Sequence, residues 1–115
     1  MPESGQTRTL AVGTTQVAYQ VRGSGPPLLL LHGAEGNRHM FDALVEHLQD
    51  AFACIAFDQR GCGDTRAALA PYSAQDIADD ACAVLDHAGH SRAHVYGTSF
   101  GGIVAQSLAA RYPAR

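Results

Sequence analysis

Residues 93–111 read AHVYGTSFGGIVAQSLAAR. Residues 93–96 form a short apolar strand, Gly97-Thr98-Ser99-Phe100-Gly101 an abrupt turn, and the rest a helix. The small residues Gly97 and Gly101 let the backbone approach itself closely, where a Cβ would block it. Ser99 then stands at the apex, at a helix N-terminus. There, unpaired N–H groups and the helix dipole favour a developing negative charge. The arrangement predicts an unfavourable φ at Ser99.

G-x-S-x-G alone is weak in a chain with 12 glycines among 115 residues, and a tightly packed strand–helix turn is its plain alternative. The spacing of Gly97 and Gly102 also fits a phosphate loop, but Ile103 and Val104 stand where Lys and Ser/Thr are needed. A dinucleotide fingerprint at Gly61-Cys62-Gly63 fails because Arg66 occupies the third glycine position.

The length allows one domain with a core, and 46% apolar with 17% charged residues suits a globular chain. A net charge of -3 with no basic run argues against a nucleic-acid binder. The N-terminus MPESGQTRTL has no apolar leader core, and the longest apolar run, Leu28-Leu29-Leu30-Leu31, is too short to cross a bilayer. Cys54, Cys62 and Cys82 form no C-x-x-C pair and read as reduced, structural thiols of a cytoplasmic protein.

From the N-terminus, residues 7–12 and 16–21 read as two strands around a turn at Gly13-Thr14-Thr15. QVAYQV (16–21) alternates as a half-buried antiparallel strand does. After Gly23-Ser24-Gly25-Pro26-Pro27, the leucine run is apolar on both faces. It predicts a central parallel strand covered by helices on both sides. The loop His32-Gly33-Ala34-Glu35-Gly36-Asn37 follows. Met40, Phe41, Leu44, Val45 and Leu48 then recur at helical spacing, with Asn37 as cap.

Residues 53–57, ACIAF, form another strand apolar on both faces, ending in the polar loop DQRGCGDT (58–65). Residues 73–88 read as a helix with a Ser73/Asp76 capping box, a Tyr72–Ile77 staple and Gly89 as C-cap. Ile77, Ala81, Val84, Leu85 and Ala88 line its apolar face, and Asp76, Asp79, Asp80 and Asp86 a solvated acidic one. The order β-β-β-α-β-α-β-α predicts a three-layer α/β/α fold with a mostly parallel sheet. The loops at His32, Asp58 and Gly97 all follow carboxyl ends of strands and should converge on one rim, where ligands bind in such sheets.

These residues together resemble the α/β-hydrolase fold family. GPPLLLLHG is similar to its third strand and oxyanion loop, DQRGCGDT to its D-x-R-G-x-G-x-[ST] turn, and GTSFGG to its nucleophile elbow. The resemblance covers nearly the whole chain from Gly25 onward and implies that residues 1–115 are the N-terminal portion of a single hydrolase domain. It implies Ser99 as nucleophile and the backbone N–H groups of Ala34 and Phe100 as oxyanion hole. It gives His32, Gly33, Asp58, Arg60, Gly61, Gly63, Gly97 and Gly101 structural roles, with a carboxylate–arginine pair pinning a loop. It places the strand 28–31 between 53–57 and 93–96, leaving 93–96 a bare edge, a template for self-association.

The family's triad runs Ser, then Asp or Glu, then His, whereas FGGIVAQSLAARYPAR after Ser99 holds none of these acids or bases. Of the six histidines, His32 lies nearest the site, but its motif role is to shape the oxyanion loop. His39 and His47 read as surface, His87 and His90 as helix C-terminal, and His94 starts a strand. Glu35, beside the oxyanion loop, reads as outward and solvated because an inward carboxylate would oppose an oxyanion.

Two functions of different class follow. One is a serine hydrolase acting on a small ester, lactone or related carbonyl compound, with no cofactor and no metal. The other is a truncated, catalytically incomplete chain with at most a binding role. Serine at the elbow separates the chain from the haloalkane dehalogenases and epoxide hydrolases that carry Asp there. Lactonase, carboxylesterase, cofactor-free haloperoxidase and carbon–carbon hydrolase chemistries stay open. Little or no hydrolysis is expected of the 115 residues alone, and no nucleic acid or membrane partner.

Overall fold

The apolar runs 28–31 and 53–57 become strands whose alternate side chains serve different cores. The computed structural model describes residues 5–68 and 70–115, so residues 1–4 of the leader reading lie outside it. Five strands, β1 (Arg8–Val12), β2 (Thr15–Arg22), β3 (Pro27–Leu31), β4 (Ala53–Phe57) and β5 (His94–Gly97), form one sheet in the order β1-β2-β4-β3-β5. The sheet is mixed. β3 runs parallel to both β4 and β5, while β2 runs antiparallel to both β1 and β4. β3 therefore lies between β4 and β5, as the resemblance implies, and β5 is an edge.

Helices α1 (Asp42–Leu48), α2 (Ala74–Ala88) and α3 (Phe100–Arg111) complete the fold. Leu29 and Leu31 of β3 and Ile55 and Phe57 of β4 pack into a core with Ile77, Val84 and Leu85 of α2 and Val104 and Leu108 of α3. Leu30, Cys54 and Ala56 lie in a second core with Phe41 and Val45. Period-2 alternation thus sends neighbouring residues of one run to opposite sides of the sheet.

The α2 caps are those the sequence encodes. Ser73 and Asp76 make a reciprocal capping box, and Gly89 ends the helix at φ 89. Asn37 caps a 3-10 turn, Arg38–Phe41, and α1 begins only at Asp42. Met40 and Leu44, expected on the apolar stripe, are 49% and 39% exposed. One reading of α2 is corrected. Asp80 is not on a solvated face but is 1% exposed, because the Arg60 guanidinium meets it. Tyr72, expected as a staple, is exposed and donates its hydroxyl to the Arg60 carbonyl at 3.1 Å.

Candidate active site

The carboxyl ends of β3, β4 and β5 meet at one rim, since all three run parallel and Leu31 pairs with Gly97 in register. Three loops leave that rim, and each is held differently.

The loop after β5 is held by close approach. A Cβ on Gly97 would lie 2.1 Å from the Gly101 carbonyl oxygen, and one on Gly101 would lie 2.1 Å from that of Leu31. No other residue fits either place. The Thr98 N–H donates to Leu31 at 3.2 Å, tying the turn to β3. Between these fixed points Ser99 has φ 55 and ψ -120, a conformation L-residues rarely hold. Ser99 is exposed and stands at the N-cap of α3, yet its hydroxyl makes no capping bond.

The loop after β3 turns at Gly33, whose carbonyl accepts from the Gly36 N–H at 3.1 Å. Glu35, the third residue of that turn, has φ 62. A Cβ on Gly33 would sit 3.4 Å from the Ser99 Cβ, so this loop lies directly against the elbow. Among the described residues, the N–H groups of Ala34 and Phe100 have no hydrogen-bond partner.

His32 joins this loop to the next. Its Nδ1–H donates to Gly33 at 2.7 Å, and its Nε2 accepts the Gln59 N–H at 3.0 Å. Gln59 returns a side-chain bond to the His32 carbonyl at 2.7 Å. The ring is fully buried. Burial lowers its pKa, outweighing the Gly33 bond and the Asp58 charge, so it is neutral with both nitrogens engaged.

Charge holds the loop after β4. The fully buried Asp58 accepts the Arg38 N–H at 2.7 Å and the Asp64 N–H at 2.8 Å, and its Oδ2 meets the Arg38 guanidinium. Arg38 also donates to Gln20 at 2.9 Å, to Asp64 at 3.0 Å and to Thr7 at 3.1 Å. Arg60 pairs side-on with Asp80, Nε at 2.8 Å and a second nitrogen at 3.1 Å. Gly63, at φ 51, passes so close to Asp58 that a Cβ would lie 2.3 Å from its carboxylate; Gly61, at φ 76, has open space.

Carboxylate–arginine pairing thus pins this loop, but Asp58 and Arg60 do not pair with each other. Their partners Arg38 and Asp80 do not stand out as site residues in the sequence. Asp80 has a signal: it lies three residues after Ile77 and four before Val84, inside the apolar stripe. Arg38 has none beyond its place beside the Asn37 cap.

A cavity of about 390 Å³ opens beside the elbow, lined by Ala34, Glu35, Arg60, Cys62, Tyr72 and Phe100, among others. Among the described residues, no three His, Cys, Asp or Glu side chains cluster as metal ligands, and no helix is long and apolar enough to cross a membrane.

Residues 26–115 match the family model described as the alpha/beta hydrolase fold. The chain belongs to the α/β-hydrolase family. It is 34% identical over 107 residues to the uncharacterized hydrolase YraK of Bacillus subtilis, covering 91% of this chain and 40% of that protein. It is also 34% identical over 107 residues to 2-(acetamidomethylene)succinate hydrolase of Mesorhizobium japonicum, covering 93% and 38%. The crystal structure of a hydrolase from Pseudomonas aeruginosa superposes with a TM-score of 0.91 at 33% identity, covering 98% of this chain and 44% of that one. The chain spans about two fifths of the length of these relatives.

Proposed function

We propose that Ser99 is the nucleophile of a hydrolase that cleaves a small ester, lactone or related carbonyl compound through an acyl-enzyme. The observation that carries this reading is one juxtaposition. An exposed hydroxyl at a strained φ lies against a loop, and beside it two backbone N–H groups are left without partners. Ser99 Oγ attacks the carbonyl carbon and its proton passes to a base. The carbonyl oxygen, now an oxyanion, takes the N–H bonds of Ala34 and Phe100, each worth roughly 2.7–4 kcal/mol in the transition state. The C–O bond breaks, the leaving group takes the proton, and water then releases the acid by the reverse sequence.

The base is not His32, whose Nε2 lone pair is held by Gln59. Nor is it His39, which pairs with Asp42, a carboxylate that Arg22 of β2 also faces, away from β5. We place the base and its acid partner in sequence corresponding to the three fifths of the relatives that this chain does not span. Loss of the base typically costs about 10⁶ in turnover. The second reading, a catalytically incomplete chain that binds, is favoured for the 115 residues alone by the engaged nitrogens of His32. A cytoplasmic location, which the three free thiols suit, belongs to the same proposal.

The test is p-nitrophenyl ester hydrolysis by the 115-residue chain, by the polypeptide extended through its downstream reading frame, and by Ser99→Ala of each. Turnover in the extended form alone, abolished by Ser99→Ala, is the expected result. Robust Ser99-dependent turnover by the short chain would require an upstream base.

A further inference from the structure

Glu35 carries no part of the acyl chemistry, yet it shares a cavity with two aromatic side chains. It follows directly on Ala34, is exposed, lines the cavity beside the elbow, and has no side-chain partner among the described residues. The turn holds it at φ 62, a backbone state in which glycine is the usual occupant, so a Glu there strains the turn.

The one cation in the lining, Arg60, is already committed. Its hydrogen bond to Asp80 raises its pKa against the effect of burial, and the charges of Asp80, Asp76 and Asp79 add to the rise. The guanidinium is paired with Asp80 at 2.8 Å, and Glu35 is left as the carboxylate of the lining without a partner among the described residues. Tyr72 and Phe100 contribute aromatic rings to the same lining, with Tyr72 tethered through its hydroxyl to the Arg60 carbonyl. An unpaired carboxylate with aromatic rings in the same lining is the chemistry that receives an ammonium group, not a carboxylate or phosphate.

We infer that the cavity between Glu35, Tyr72 and Phe100 is a subsite for a cationic, ammonium-bearing portion of the substrate. This rests on the reading of the rim as an acyl-transfer site. It also accounts for a carboxylate placed beside the oxyanion loop. An ammonium bound against Glu35 neutralises the unpaired negative charge that follows directly on Ala34. A cationic substrate then gains in its transition state as well as in its binding.

The test uses three probes of one shape and different charge: choline, 3,3-dimethylbutanol and 3,3-dimethylbutyrate. Each is titrated into the 115-residue chain while the backbone amide resonances of Ala34, Glu35, Tyr72 and Phe100 are followed. Choline is expected to shift these resonances with an affinity about three- to tenfold tighter than the neutral alcohol, with the carboxylate weakest. In Glu35→Gln the three should fall within about twofold of one another. Equal affinities in the wild-type chain, preference for the carboxylate, no shifts at all, or an unchanged preference in Glu35→Gln would each overturn the inference. Ester hydrolysis by the extended polypeptide, measured in parallel, separates the two readings. Choline preference without Ser99-dependent turnover breaks the nucleophile assignment and leaves the subsite. Ser99-dependent turnover without the preference does the reverse.

Discussion

The loop after β4 and the elbow after β5 leave the same rim but are fixed by different physics. Residues 58–65 are held by long-range polar pairing: a fully buried carboxylate at Asp58, the Arg38 guanidinium, and Thr65, whose hydroxyl donates to the Asp58 carbonyl at 2.6 Å. The elbow has no such network. It is held by glycines packed so close to the backbone that a Cβ would lie 2.1 Å from a carbonyl oxygen, and it leaves its serine hydroxyl uncommitted. Polar pairing makes a rigid wall but consumes the groups it uses. Steric packing fixes a residue's position while leaving its side chain free, which a nucleophile requires.

That contrast is most sharply broken at Arg38. Arg38→Ala leaves the Asp58 carboxylate buried without its counter-charge and should cost about 3–5 kcal/mol in urea unfolding. A loss under about 1 kcal/mol would mean the pair does not hold the loop. On the steric side, Gly101→Ala forces a Cβ into the Leu31 and His32 carbonyls. It should cost about 3 kcal/mol and displace the elbow. Retained stability would show that α3 can retreat and that the close approach is not required.

Ser99→Gly should act in the opposite direction. Removing the Cβ at φ 55 relieves strain, so the variant should be about 1 kcal/mol more stable while losing the hydroxyl. Destabilisation would argue that the serine is there for packing.

The smallest effect lies where the two loops join. His32 is neutral and buried with its pKa lowered from 6.5, so the folded state resists a proton that the unfolded state accepts. Stability is therefore full above pH 6.5 and falls as pH drops below it, until the lowered pKa is passed, with a slope of no more than one proton. Urea midpoints between pH 5 and 7 should show this fall in the wild type and a flatter profile in His32→Asn.

What the sequence makes legible divides along the same line. The leucine run and ACIAF announce buried strands because runs this short and apolar on both faces fit a strand covered by two layers and are too brief for a buried helix. Ser73 and Asp76 announce α2 because a capping box is local. The elbow is legible for the same reason: the approach of Gly97 to Gly101 spans four residues, while the packing of Gly101 on Leu31 is long-range. The wall of the site is not legible in this way. Arg38 meets Asp58 across 20 positions, and Arg60 meets Asp80 across another 20, and no local pattern encodes either pairing. The edge position of β5 follows from strand order. Its exposed Val95 and Tyr96 lead us to propose concentration-dependent self-association, which sedimentation would detect and a monodisperse monomer would contradict.

The central claim is that Ser99 attacks the substrate carbonyl. Its most direct test is to trap the covalent intermediate. The extended polypeptide is treated with a p-nitrophenyl phosphate triester, and the adduct is mapped by peptide mass spectrometry. We predict one phosphoryl group per chain, on Ser99, with loss of ester hydrolysis in step with labelling. An adduct on another residue, or full hydrolytic activity in a chain whose Ser99 is fully labelled, would contradict it.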